Sequence, residues 1–152
     1  MLFRSVKWTD NIKNLVVTVG RNDLLDKYFA GSAYTAAWYM GLVDNGSFSA
    51  YAAGDTLASH AGWLEFLDYT GSNRITVSWS AASAGSKATT TTSFSINASG
   101  TVLGALMCTT QAKGTASNGG AGILYSAGSF SGGSRAVVSG DTLNVSYTAA
   151  TS

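Results

Sequence analysis

The chain has no proline, one cysteine, one histidine and few charged residues. Only 11% of its 152 residues are charged, with a formal net charge of +1, whereas about 25% is usual for soluble domains. Because phosphate neutralisation needs several clustered Lys or Arg residues, this balance argues against nucleic-acid binding. One Cys and one His cannot form a zinc site within one chain. We therefore expect no nucleic-acid partner and no metal or other cofactor.

Long apolar runs are missing as well. No segment approaches the roughly 18 apolar residues that cross a bilayer, so we expect no membrane span. The N-terminus reaches Lys7, Asp10 and Lys13 without the continuous apolar run of a signal peptide. We therefore expect synthesis in a cytoplasm and a reduced, buried thiol at Cys108.

Small and hydroxyl-bearing residues are what the chain has in excess. Ala, Ser, Gly and Thr together make up about half of it. Residues 75–152 carry only four charges, and several of their segments alternate between apolar and hydroxyl side chains. Short alternating strands separated by glycine-rich turns are typical of antiparallel β-sandwiches and jelly rolls. We predict a mainly β fold of this kind.

Individual elements follow from local patterns. A β-branched run predicts a strand over residues 15–19, and a cap at Asn22 or Asp23 predicts one short helix near residues 22–30, ended by Gly31. Because that helix is only about two turns long, we expect packing to hold it through Leu24, Leu25, Tyr28 and Phe29. We divide the chain into an N-terminal arm or edge strand (residues 1–13) and a β-sandwich domain (residues 14–152). Further strands are predicted over residues 35–43, 63–69, 75–80, 88–96, 101–108, 123–130 and 142–147.

The few reactive side chains of the chain form no specific catalytic pattern. His60 could be a general base, but the sequence contains no Gly-x-Ser-x-Gly elbow that would position a serine nucleophile. We therefore interpret His60 as a loop or edge histidine with a structural hydrogen bond. Asp55, Glu65 and Asp68 lie close enough in sequence for a glycosidase pair, and Asp44, Asp55 or Asp68 could bind calcium in loops. Neither pattern is specific, and we predict no catalytic, cofactor-binding or metal-binding residue.

The aromatic residues have two interpretations. They could form a platform on which sugars stack, or they could be core and interface anchors. Trp38 and Trp79 alternate with apolar partners and are predicted to lie in the core. Trp8 and Tyr51 lie in less regular segments and are better candidates for exposed or interface positions.

Four segments resemble small virion structural proteins of tailed bacteriophages. They are residues 22–29 (NDLLDKYF), 33–42 (AYTAAWYMGL), 54–63 (GDTLASHAGW) and 134–145 (SRAVVSGDTLNV), within a resemblance that extends over residues 14–149. Among such proteins are capsid decoration (cement) proteins and tail-fibre components. The resemblance implies a place in the virion and no catalytic residues.

This resemblance leads to a functional hypothesis. We expect a non-enzymatic capsid decoration protein that binds the major capsid protein, or another virion protein, as a homo-oligomer. The alternative is a tail-fibre or host-glycan-binding β-module of the virion, and a cell-wall hydrolase is the third and weakest possibility. The candidate interface residues are Leu2, Val6, Trp8, Ile12 and Tyr51.

Overall fold

The computed structural model describes residues 10–29, 31, 33, 37–114 and 122–150, and this part of the chain contains eleven strands and one helix. The elements in chain order are β1 (Ile12–Val16), α1 (Thr18–Phe29), β2 (Tyr39–Asp44), β3 (Leu64–Phe66), β4 (Ile75–Thr76), β5 (Ser86–Ala88), β6 (Thr92–Ser95), β7 (Gly100–Cys108), β8 (Leu124–Phe130), β9 (Arg135–Val137), β10 (Thr142–Val145) and β11 (Thr148–Ala150). The prediction of a mainly β, antiparallel fold with one helix is confirmed.

A seven-stranded antiparallel sheet forms the main layer. Its strand order is β1-β8-β7-β2-β3, with β4 added to β2 and β9 added to β7. Two smaller sheets, β10-β6 and β11-β5, complete the sandwich. The strand β1 therefore lies at one edge of the large sheet.

Apolar side chains fill both faces of the large sheet. One cluster joins it to the β10-β6 pair, where Phe94, Leu143 and Val145 point inward. The second cluster, which includes Trp63 and Leu124, lies on the opposite face, and Leu57 from the loop before β3 contributes to it. The strand β7 is buried along Val102–Cys108, as expected for a central strand covered on both sides.

The start of the chain differs from the prediction. The strand expected over residues 15–19 is instead β1 at Ile12–Val16, and the helix begins at Thr18, inside the β-branched run. Tertiary contacts explain this difference: Val17 is buried, and Gly20 lies so close to Tyr125 that an added Cβ would be 2.6 Å from its carbonyl oxygen. Packing of this turn against β8 outweighs the intrinsic strand preference of the valines.

Two other predicted positions fall inside elements of the structure. Asn22 and Asp23, the predicted helix caps, lie inside α1, whereas Gly31 follows the helix with a φ of +71°, the conformation expected of a helix-ending glycine. The expected boundary between residues 13 and 14 falls inside β1, which pairs continuously with β8.

Candidate functional site

An open apolar cleft of about 330 Å³ lies between α1 and the sandwich. Its residues come from the helix, from the large sheet and from the segments packed beside it: Asp23, Leu24, Lys27, Tyr28, Trp38, Trp79, Lys87, Met107, Tyr125 and Ala149. Most of this lining is aromatic or aliphatic. Concave apolar sites with a few polar groups at the rim are typical of binding sites.

Four rings hold one another in place at this cleft. Trp38 meets Tyr125 edge-to-face with centroids 5.5 Å apart, and Trp79 meets Tyr147 in the same way at 6.0 Å. Tyr125 and Tyr147 are 6.5 Å apart and connect the two pairs. Edge-to-face contacts between aromatic rings stabilise such arrangements, so the cleft walls are preorganised.

Tyr147 fixes this ring network to the strands. Its hydroxyl oxygen accepts hydrogen bonds from Asn14 Nδ2 at 2.8 Å and from Ser126 Oγ at 3.1 Å. Burial raises the pKa of Tyr147 to about 12, so the phenol is neutral at physiological pH. Burial also raises the pKa of Tyr125. The hydroxyls of Tyr125 and Tyr147 therefore act as neutral polar groups.

The prediction for the two tryptophans is correct only in part. Trp38 and Trp79 contact the main core cluster, but both are half-buried and line the cleft. Alternation along a strand reports which way a side chain points, not whether another element covers it. Here α1 does not cover Trp38 and Trp79 completely, so the cleft between the helix and the sandwich stays open.

The helix α1 presents an apolar surface to solvent. Leu24 and Leu25 are 53% and 52% exposed, and Tyr28 and Phe29 are 80% and 78% exposed. We call these four residues the helix face. The expectation that they pack against the domain is wrong, because α1 approaches β8 at its first turn, where Gly20 is buried. An ion pair between Asp23 and Lys27, 2.7 Å apart, supports the exposed part of the helix.

The ion pair between Arg74 and Glu65 is buried. Arg74 donates from Nε and Nη2 to the two carboxylate oxygens of Glu65 at 2.9 and 2.8 Å, and both side chains are almost fully buried. Burial raises the pKa of Glu65, and the hydrogen bonds and positive charge of Arg74 oppose that rise. Gly41 makes room for the pair, since a Cβ there would lie 2.6 Å from Glu65 Oε1. Arg74 was not singled out from the sequence.

The three acids considered as a catalytic pair have different environments. Glu65 is occupied by Arg74. One carboxylate oxygen of Asp55 accepts hydrogen bonds from Trp63 Nε1 and the Ala52 N–H, both at 2.9 Å, as suits a turn residue. Asp68 is exposed. Within the described ranges, no cluster of three or more His, Cys, Asp or Glu side chains could hold a metal ion.

His60 and Cys108 both have structural roles. His60 is buried and stacked on Trp63 with ring centroids 3.9 Å apart, and its Nδ1 lies 3.0 Å from the Trp63 carbonyl oxygen. Because a carbonyl only accepts, that nitrogen carries the proton. The predicted structural hydrogen bond of this histidine is confirmed. Cys108 is fully buried, and burial raises the pKa of its thiol, which disfavours the reactive thiolate.

The candidate interface residues lie in different environments. Leu2, Val6 and Trp8 lie outside the described residues. Ile12 is half-buried in β1 against the main core. Tyr51 is also half-buried, and its hydroxyl oxygen accepts a hydrogen bond from Ser129 Oγ at 3.1 Å. The structure does not bring Ile12 and Tyr51 together with the cleft.

Comparison of the chain with family models, curated proteins and solved structures finds no match. No helix in the described ranges has the length and apolar character needed to cross a membrane. The structure is a β-sandwich with an aromatic cleft beside a helix that exposes apolar side chains.

Proposed function

We propose that this chain is a non-enzymatic structural protein of a bacteriophage virion, a decoration protein that binds the major capsid protein lattice as a homo-oligomer. The resemblance of its sequence segments to phage virion proteins suggests the setting. The observation that supports a binding role is the helix face. It is an exposed apolar surface on a helix that makes few contacts with the rest of the domain.

The helix face is large enough to contribute substantially to an interface. Covering a large aromatic ring buries about 150–250 Å², so Tyr28 and Phe29 at their present exposure offer roughly 240–400 Å². A standard interface buries about 800 Å² on each partner. The two aromatic residues could therefore provide a third to a half of one side, and Leu24 and Leu25 extend it.

The chemistry of this surface suits a lattice partner. Tyr and Phe are rigid side chains that lose little entropy when they are covered, and aromatic anchors often dominate interface energetics. A protein that binds only the assembled shell stabilises that shell by mass action. In this proposal the helix face provides the apolar anchor, and the hydroxyl-rich strands form the outer surface.

Co-sedimentation with capsids of the phage that encodes the chain tests this proposal. Tyr28→Ser and Phe29→Ser should each weaken binding at least tenfold, which corresponds to about 1.4 kcal/mol. Val138→Ser is the matched control, because Val138 is also an exposed apolar residue (51%) but lies next to β9. Thermal melts should show that all three variants remain folded. Equal binding by the helix-face variants and the control would refute the proposal.

The cleft itself favours a second candidate, a glycan-binding module of the virion. Trp38, Trp79 and Tyr125 offer ring faces and edges in an open, preorganised cleft, as sugar stacking requires. Tryptophan fluorescence titrated with host cell-wall glycans is the test. A saturable change that Trp79→Ala abolishes would favour this function, and no change at millimolar sugar would refute it.

A further inference from the structure

Among the residues that the structure describes, the outer edge of β1 has backbone groups without a hydrogen-bond partner. The Ser131 N–H donates to the Asn11 carbonyl, and the Val17 N–H donates to the Tyr125 carbonyl at 3.1 Å, so the odd-numbered residues of this segment face β8. Backbone direction alternates along a strand, and the N–H and C=O groups of Ile12, Asn14 and Val16 therefore point away from the sheet. Among the described residues, no strand pairs with that side of β1.

This edge has few of the features that usually prevent pairing. Proline is absent from the chain, and β1 pairs with β8 in continuous register without a bulge. A groove of about 510 Å³ runs beside it, between β1 and the segment from Asn144 to Thr148, which leaves space for another backbone. Leu15 adds an exposed apolar side chain at 37%.

The start of β1 is also firmly held. The carboxylate of Asp10 accepts hydrogen bonds from Ser131 Oγ at 2.6 Å and from the Gly132 N–H at 2.8 Å, and it pairs with Arg135. These contacts, led by the bond from Ser131, lower the pKa of Asp10. The open edge is therefore preorganised, which reduces the entropy lost when another strand binds.

We propose that the edge of β1 pairs with β1 of a second copy of this chain, antiparallel and about a two-fold axis at Asn14. In this register Asn14 lies opposite Asn14 of the second copy, and Ile12 lies opposite Val16. All three outward N–H and all three outward C=O groups of each copy then gain a partner, so the edge is complementary to itself. This pairing describes how the homo-oligomer of the proposed function would form, and it rests on the proposed function only for the existence of that homo-oligomer.

The side chains favour the same occupant. Ile12 and Val16 are both β-branched and lie on the same face of β1, and such residues form favourable cross-strand pairs. None of the three outward-bonding positions is charged, and Lys13 lies opposite Leu15 of the second copy, so no like charges lie directly opposite each other. The two large sheets would join into one continuous sheet, with strand β1 no longer at an edge.

Cysteine cross-linking of the full chain tests the register. Directly opposite residues in a hydrogen-bonded antiparallel pair have Cα atoms about 5.5 Å apart, within disulfide range, so Asn14→Cys should form a covalent dimer under mild oxidation. Asn11→Cys is the matched control, because its two copies would lie about 20 Å apart in the same dimer. Cys108 is buried and should not react.

Sedimentation of the unmodified chain provides a measurement without a variant. We expect a species of twice the 15.6 kDa chain mass, and Asn14→Pro, which removes the N–H on the axis, should shift it to monomer while Asn14→Ala should not. If Asn14→Pro fails to fold, the comparison of cross-linking by Asn14→Cys and Asn11→Cys still tests the proposed pairing. A monomeric unmodified chain, or equal cross-linking of Asn11→Cys and Asn14→Cys, would overturn the pairing. Capsid co-sedimentation is scored separately, so a monomer that binds capsids would leave the decoration role intact.

Discussion

Replacing Arg74 with methionine should destabilise the domain strongly, because it would leave a buried carboxylate without its partner. The Arg74 and Glu65 side chains are only 3% and 1% exposed, and two charge-assisted hydrogen bonds join them. Without Arg74, Glu65 would keep a hydrogen bond from the Gly114 N–H at 2.8 Å. Breaking a buried pair by removing one partner costs about 3–5 kcal/mol.

Urea denaturation measures this loss directly. With a slope of about 2 kcal/mol per molar urea, a loss of about 4 kcal/mol lowers the unfolding midpoint by about 2 M. The double variant Glu65→Leu with Arg74→Met is the control, since it removes both charges and should be more stable than Arg74→Met alone.

The effect of Arg74→Met should depend on pH. Burial already raises the pKa of Glu65 above its ordinary value of 4.5, and loss of Arg74 should raise it further. A carboxyl group with a raised folded-state pKa binds its proton more tightly in the folded state, so stability falls as pH rises above the unfolded value. The variant should thus lose more stability at pH 7 than at pH 4.5. A loss below about 1 kcal/mol at pH 7, or a loss equal at both pH values, would refute the reasoning.

Three further predictions concern other packed sites. Gly104→Ala should destabilise by about 3 kcal/mol in urea denaturation, because its Cβ would lie 1.8 Å from the Gly128 carbonyl oxygen; a loss below about 1 kcal/mol would contradict that packing. Tyr147→Phe removes the hydroxyl that accepts two hydrogen bonds and should cost about 1–3 kcal/mol in the same assay; an unchanged midpoint would contradict their role. Cys108 should react with iodoacetamide at pH 8 only as fast as the domain unfolds, and rapid labelling of the folded chain would be inconsistent with its burial and raised pKa.

Strands with one buried face could be predicted from the sequence. Phe94 and Ile96, like Leu143 and Val145, alternate with exposed residues in the sequence and in the structure, because successive side chains of a strand point to opposite faces. The strand predicted over residues 101–108 is β7, in which the apolar run Val102–Cys108 is buried. These features depend on local pattern alone.

The predictions that were wrong concern features that depend on contacts between distant segments of the chain. The helix begins early because Gly20 meets Tyr125 about a hundred residues away. Tyr28 and Phe29, near the other end of the helix, are exposed. The cleft brings Trp38 and Trp79 together with Tyr125 from separate segments of the chain. A local sequence pattern does not show which distant segments contact each other. The aromatic residue types alone therefore left both the core and the sugar-stacking interpretations open.

The buried ion pair was missed for a different reason. Glu65 and Arg74 lie nine residues apart on either side of a turn, and opposite charges at such a spacing more often lie in solvent. The one sequence signal was Gly41 in an otherwise bulky strand, which leaves room for the pair. A glycine inside a strand often marks close approach of another group.

Immunogold electron microscopy of purified phage particles, with antibody against this chain, tests the central claim most directly. The decoration role predicts label spread evenly over the heads, at a density that follows the capsid lattice. Label confined to tails would contradict it and favour the fibre or glycan-binding module. Unlabelled particles in which mass spectrometry also fails to find the chain would contradict any place in the virion.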